Sequence, residues 1–238
     1  MHELISKIES AGASAGFRVE RYGEAGGYPL LALTRRTPGP RPRIYVSAGI
    51  HGDEPAAPVA ILEMLRAGVF DGRATWFVCP ALNPTGLAAG TRENAGGLDL
   101  NRDYRSTRSP EIAAHVAWLQ GQPSFDLTLA LHEDWESTGF YLYEQNPRDR
   151  PSLAPLMLGA VSRECPIDRS PVIDGREAQD GVIRPLGDPF GRELWPESLY
   201  LRVNHTSLAY TLESPSAFPL PQRIRALRAA VESAIAGV

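Results

Sequence analysis

The sequence predicts an α/β fold in one domain, residues 1–238, built on a mixed, mostly parallel sheet flanked by helices. Two observations carry this expectation. Short apolar runs rich in Val, Ile, Leu, Thr or aromatics alternate with longer stretches of helical periodicity, and most of the short runs are bounded by Gly or Pro. No internal repeat, low-complexity tract or long linker divides the chain.

In chain order, strands are expected at residues 28–34, 43–48, 74–79, 126–131, 139–143 and 207–212. Helices are expected at 2–13, 54–69, 110–120, 152–163 and 221–236, several opening on a Pro in the first turn or just after a Ser or Asp. The Pro/Gly-rich stretch 37–42 reads as a hairpin or crossover loop. Two long irregular stretches remain, 80–109 and 166–198, and loops of that length in a compact domain tend to carry function.

Composition narrows the function classes. With 43% hydrophobic and 22% charged residues the chain resembles an ordinary globular protein. At 238 residues it buries most of its unfolded surface, so a metal site would need a chemical reason rather than a folding one. A net charge of −4 from 24 basic and 28 acidic residues gives no footprint for nucleic acid or an anionic membrane. No run approaches the roughly 20 apolar residues that span a bilayer, and MHELISKIES lacks the apolar core of a secretory signal. Two cysteines, Cys79 and Cys165, make no disulfide scaffold and fit a reducing compartment, so a cytoplasmic location is expected. Oligomeric state is left open.

In open α/β sheets, ligands bind beyond the carboxyl ends of the strands. His51 follows RIYVSAG, Asn83 follows ATWFVCP, His132 follows DLTLAL and Glu213 closes SLAYTL. Four strands thus aim polar residues at one edge. His51 and Glu54, three apart in GIHGDEP, can reach one cation from a strand-to-helix turn, the plainer alternative being a helix cap with a solvated Glu. With His132 they make a set of two imidazoles and one carboxylate, which leaves a fourth tetrahedral position open and favours zinc over calcium or magnesium. His2, His115 and His205 read as structural or surface residues. The loop NPTGLAAGTRENAGGLDLNRDY, residues 83–104, gathers Arg92, Asn101 and Arg102. A guanidinium fork suits a carboxylate or a developing oxyanion. The alternative is a glycine-rich surface loop with solvated arginines.

HGDE, TRENAGGLDLNR, LHE and TLE, in this order, resemble the zinc carboxypeptidase superfamily. That superfamily includes carboxypeptidase A, murein peptide amidase and the aspartoacylase/succinylglutamate desuccinylase group. The 83–104 loop is most similar to the murein peptide amidase type. The resemblance covers residues 43–120 well and continues as the islands ALHE and YTLESP. It implies an eight-stranded mixed sheet and one zinc per chain held by His51, Glu54 and His132. It further implies that Asp99 orients His51, Arg92 stabilises the oxyanion, Asn101 and Arg102 grip a free substrate carboxylate, and Glu213 is the general base and then acid. The superfamily places a mobile tyrosine over the substrate, and Tyr200, in the loop-like WPESLY, is the choice over Tyr210, which strand alternation turns away from Glu213.

The segment after His132, with Glu133, Asp134, Trp135 and Glu136, departs from the amidase pattern and is either part of a specificity pocket or a solvated turn. Three readings follow. The first is a metallocarboxypeptidase cutting the C-terminal amide bond of a peptide. The second is an N-acyl amino acid amidohydrolase, and the third a zinc-free binding module that keeps the shell of the site. Both hydrolase readings expect a substrate with a free carboxylate.

Overall fold

A computed structural model describes residues 1–185 and 187–238. Among the described residues, ten strands form one mixed sheet: β1 Arg18–Ala25, β2 Tyr28–Arg35, β3 Arg43–Ala48, β4 Thr75–Cys79, β5 Leu127–Asp134, β6 Tyr141–Gln145, β7 Val172–Ile173, β8 Arg176–Gln179, β9 Val182–Ile183 and β10 Ala209–Pro215. Their order is β1-β2-β4-β3-β5-β10-β6-β9-β8-β7. The central strands β4, β3, β5 and β10 run parallel, and antiparallel strands flank them on both sides. The expected mixed α/β architecture is present, with ten strands in place of eight.

The extra strands have local causes. β1 is an edge strand that exposes Arg18 and Arg21 and carries a bulge between Arg21 and Gly23, so its apolar alternation is faint. β7, β8 and β9 are short hairpin strands joined by Asp174-Gly175 and Asp180-Gly181, all four at positive φ, the tight-turn chemistry of Asp-Gly pairs.

Helices α1 His2–Ser14, α2 Ala56–Arg66, α5 Ala154–Val161 and α7 Leu220–Ala236 cover one face of the sheet. There they pack on Ile44, Val46, Leu127, Leu129, Leu131 and Leu212. α4 Pro110–Gln120 and α6 Glu197–Asn204 cover the other face, packing on Tyr45 and Phe77. α3 Pro84–Ala89 lies in the loop after β4. Strand alternation therefore divides the sheet residues cleanly. Tyr45, Ser47, Thr128, His132, Thr211 and Glu213 all face the α4/α6 side, opposite the larger apolar core. α4 forms over the expected residues because Ser109 caps it, accepting from Ile112 N at 3.3 Å, and Pro110 opens its first turn. Among the described residues, no helix is long and apolar enough to cross a membrane.

Candidate metal centre and cleft

β3 ends at Ala48, and the turn that follows carries His51 and Glu54 before α2 begins. The turn is held against the next loop by Gly52. A Cβ there would lie 1.9 Å from the backbone of Gly86, a contact only glycine permits. Asn83, the polar residue after β4, belongs to this packing and not to the site. Fully buried, it caps α3 by accepting from Gly86 N at 2.9 Å and donates to Arg92 O at 3.3 Å.

His132 lies within β5 and Glu213 within β10, not beyond their ends, because parallel pairing continues through Ser214↔Glu133 and Pro215↔Asp134. His132 and Glu213 are register partners on adjacent strands, so their side chains stand side by side. Glu54 bridges the two histidines. Its Oε1 is 2.5 Å from His51 Nδ1 and its Oε2 is 3.0 Å from His132 Nδ1. All three residues are buried, with one ligand atom from each within 4.8 Å of the others. Burial alone would raise the Glu54 carboxyl, but the two imidazoles outweigh it and hold the pKa at about 2. An ionised carboxylate facing two imidazole nitrogens is a donor set that fits a borderline-soft divalent cation.

Glu133, next in sequence to His132, points to the opposite face. Its carboxylate accepts from Ala56 N at 2.6 Å, at the start of α2, and pairs with Arg223 of α7, while its own N–H donates to Glu54 Oε2 at 3.1 Å. This residue braces the Glu54 turn and leaves Glu213 as the free carboxylate beside the histidines. Burial pushes the Glu213 carboxyl up to about 8, and the Glu54 and Asp134 carboxylates add to the effect.

The 83–104 loop delivers the remaining polar groups. Asn94 pins it to α4, with Nδ2 3.1 Å from Glu111 Oε2 and Oδ1 accepting from Gly96 N and Leu98 N. Asp99 then organises three neighbours at once. Its Oδ1 accepts from Asn101 N at 2.9 Å and lies 3.4 Å from His51 Nε2, and its Oδ2 accepts from Arg92 Nε at 3.1 Å. Arg92 Nη1 approaches His51 Nδ1 to 3.4 Å. Asn101 Oδ1 accepts from the backbone N–H of Glu197 at 2.9 Å. Because that N–H can only donate, the amide oxygen must face α6, and the Asn101 NH₂ is the group left over.

His51, Glu54, His132, Glu213, Arg92 and Asn101 line a cleft of about 760 Å³, with Arg102 also on its wall. His51, Glu54, His132, Arg92, Asn101, Arg102 and Glu213 are thus brought to one place, with Asp99 immediately behind. Tyr200 is not among them. It belongs to α6, is buried, and packs against Tyr104 and His205 with ring centroids at 5.6 and 5.8 Å. A helical rather than loop backbone turns its side chain into the core. The tyrosines on the cleft are Tyr141 and Tyr143 of β6. Tyr141 is the antiparallel register partner of Glu213 and donates to Asp134 Oδ2 at 2.9 Å, while Tyr143 donates to Asp174. Tyr210 faces away, as alternation requires, and donates to Glu144. Trp135, 76% exposed, stands on the cleft with Asp134 and Glu136. The acidic segment therefore borders the cleft while its Trp135 stays open to solvent, which is compatible with both of its sequence readings. The hairpin tip at Asp174 and Arg176 completes the wall, and the Asp-Gly pair beside it is the sequence signal that marks it.

The chain resembles solved structures over nearly its whole length. A candidate metallopeptidase from Shewanella amazonensis is 28% identical, with a TM-score of 0.84 over 98% of this chain and 91% of its own. A second from Shewanella denitrificans is 25% identical, with a TM-score of 0.86 over 98% and 88%. A metallo-carboxypeptidase from Pseudomonas aeruginosa, in complex with (2-guanidinoethylmercapto)succinic acid, shares the fold at 22% identity and a TM-score of 0.68, covering 96% of this chain and 67% of its own. Carboxypeptidase SOL1 of Arabidopsis thaliana is 26% identical over 141 residues, 49% of this chain and 27% of that longer protein. The succinylglutamate desuccinylase/aspartoacylase catalytic domain model matches residues 40–164, from just before β3 to the end of α5 and including His51, Glu54, the 83–104 loop and His132. A model of that group, a relative of the amidase type, fits this chain over more than half its length, and the chain belongs to the succinylglutamate desuccinylase/aspartoacylase catalytic domain family.

Proposed function

We propose that this chain is a zinc-dependent amide hydrolase that cleaves the amide bond next to a free carboxylate, in the manner of a metallocarboxypeptidase. One juxtaposition carries the reading: two histidines closed on one carboxylate, with an otherwise unengaged Glu213 in register beside His132. His51, Glu54 and His132 would hold the zinc, one per chain. A zinc bound there would lower the pKa of a water and polarise the scissile carbonyl.

The chain's own groups account for the remaining chemistry. Glu213 takes the proton of the attacking water and returns it to the leaving amine. Arg92, held by Asp99, presents a guanidinium edge beside His51, where negative charge on the carbonyl oxygen develops. Asp99 keeps the His51 ring oriented from its other nitrogen. The Asn101 NH₂ and the Arg102 guanidinium are donors on the cleft suited to a substrate carboxylate. The (2-guanidinoethylmercapto)succinic acid in complex with the Pseudomonas aeruginosa protein is a carboxylate ligand of the same chemical class.

The family match favours a second reading on the same machinery, in which the substrate is a small N-acyl amino acid. A panel of C-terminally varied peptides and N-acyl amino acids, assayed on zinc-loaded protein, decides between them. Turnover confined to peptides supports the carboxypeptidase, and turnover confined to acyl amino acids supports the amidohydrolase. No turnover of either by fully metallated protein would reject both hydrolase readings, and failure to take up zinc at all would favour the zinc-free binding module.

A further inference from the structure

Beneath the cleft wall lies a set of buried polar groups that the proposed chemistry does not use. Glu197, the first residue of α6, is 1% exposed. A carboxylate at the start of a helix is favoured by the helix dipole even when solvated, so the dipole does not explain its burial. Its Oε1 accepts from the Tyr45 hydroxyl at 2.6 Å and its Oε2 from Ser47 Oγ at 2.8 Å. Tyr45 and Ser47 lie two apart on the same face of β3, the strand that leads into His51. Behind them, the Tyr45 hydroxyl meets His115 Nε2 at 3.0 Å and the Tyr104 hydroxyl meets His115 Nδ1 at 2.8 Å.

The direction of these bonds follows from what each group can do. Burial holds His115 down at about 3, so its ring is neutral, with one N–H and one acceptor. Tyr45 gives its only proton to Glu197, so its oxygen accepts from His115 Nε2, and Tyr104 donates to Nδ1. The chain of donors is complete and ends on the Glu197 carboxylate. On the other side of the same residue, the Glu197 N–H holds Asn101 Oδ1 at 2.9 Å. Glu197 is thus fixed by its side chain to β3 and fixes Asn101 by its backbone.

We propose that Glu197 is a positioning residue for recognition of the substrate carboxylate: anchored by Tyr45 and Ser47, it turns the Asn101 amide so that its NH₂ is the group offered to the cleft. The inference rests on the reading of Asn101 as a carboxylate contact. Without the anchor, α6 can shift and Asn101 can flip, which puts a carbonyl oxygen where an anion would bind.

The test compares Glu197→Gln, Tyr45→Phe and Asn101→Ala as zinc-loaded full chains. Each is assayed on the best-cleaved acid of the panel above and on its carboxyl-amidated analogue. Zinc content and melting temperature are measured in parallel. For Glu197→Gln and Tyr45→Phe, KM for the acid should rise about tenfold, the scale of one lost hydrogen bond to a charged group. KM for the amide, kcat and zinc content should stay near wild type. A merely structural role would lower the melting temperature and move both substrates together, and that result overturns the proposal. If Asn101→Ala discriminates acid from amide but neither anchor variant does, the role of Glu197 falls while the carboxylate contact stands. If Asn101→Ala fails to discriminate, both fall. Should Glu197→Gln not fold, Tyr45→Phe decides the matter alone, since it removes one hydroxyl and leaves the carboxylate in place.

Discussion

The floor and the wall of the cleft are built by different means. The floor consists of strand positions and one tight turn: His132 and Glu213 paired across β5 and β10, with His51 and Glu54 clamped by Gly52. The wall consists of pieces that pack onto the sheet: the 83–104 loop, α6, the hairpin at Asp174 and the segment at Trp135. Strand register fixes atoms closely because every residue is held by ladder bonds on both sides. Wall pieces are fixed by a few side-chain bonds each, such as Asp99 to Arg92, Glu197 to Asn101 and Tyr143 to Asp174. The difference teaches where each kind of function should reside. Chemistry common to every substrate belongs on the floor, and the choice among substrates belongs on the wall.

The largest effects should come from the floor. His51→Ala or His132→Ala should abolish stoichiometric zinc and, with it, turnover of every substrate. Elemental analysis of dialysed protein checks this, and full zinc occupancy in both variants would remove the metal centre from the floor.

Glu213→Gln should keep zinc and fold while kcat falls by about 10²–10⁴, the scale of a general acid–base group. Glu213 must be ionised to accept a proton, so kcat/KM should rise with pH along an acidic limb. Burial pushes this carboxyl up in the metal-free chain, and a cation held beside His132 would pull it back toward the ordinary carboxylate range, so the limb marks the ionisation of Glu213 in the zinc-loaded protein. The limb should vanish in the Gln variant. Retention of both turnover and limb would mean that the base lies elsewhere, and Glu133 is a poor substitute because its carboxylate is engaged by Ala56 N and Arg223.

Gly52→Ala tests how rigid the floor must be. The added Cβ collides with the Gly86 backbone, which forces the His51 turn away from the 83–104 loop. Stability should fall by about 1–3 kcal/mol, as for overpacked sites, and zinc affinity should fall with it. A variant with unchanged melting temperature and zinc affinity would show that floor and wall are not coupled at this contact.

Wall variants should be gentler and selective. Arg102→Ala should raise KM about tenfold or more for a substrate with a free carboxylate, as expected for loss of a charge-assisted bond, and far less for its amide. An equal loss on both substrates would exclude a carboxylate contact. Smallest is Tyr143→Phe, which frees the hairpin tip from its bond to Asp174. KM should change about two- to fivefold, the net worth of one ordinary hydrogen bond, with kcat and zinc unchanged. A fall in kcat equal to that of Glu213→Gln would place Tyr143 with the floor.

How much of this was legible in the sequence follows the same division. β3 and α4 are predicted to the residue, and the carboxyl ends of the expected strands point to His51, His132 and Glu213 because ligands of open α/β sheets gather there whatever the rest of the fold. The Asp174-Gly175 and Asp180-Gly181 turns were open to reading, yet the strands they join, down to two residues long, give no periodicity of their own. α6 gives no local signal for a related reason: its eight residues follow Trp195-Pro196 and have no side-chain cap. The sequence therefore reads Tyr200 as a loop residue over the substrate, whereas the helix turns it into the core.

The sequence by itself determined the strand-and-helix alternation, the apolar and polar faces of the central strands, and the donor types at their carboxyl ends. These depend on local spacing and on the chemistry of single side chains. Only the tertiary structure decided that Glu133 braces while Glu213 stays free, that Asn101 shows its NH₂ rather than its oxygen, and that Tyr141 rather than Tyr200 stands beside Glu213. Each of these depends on a partner far away in the chain: Arg223 for Glu133, Glu197 for Asn101, and the β6–β10 register for Tyr141. Contacts of that range are set by packing the whole sheet against its two helical layers, which no local window of residues contains.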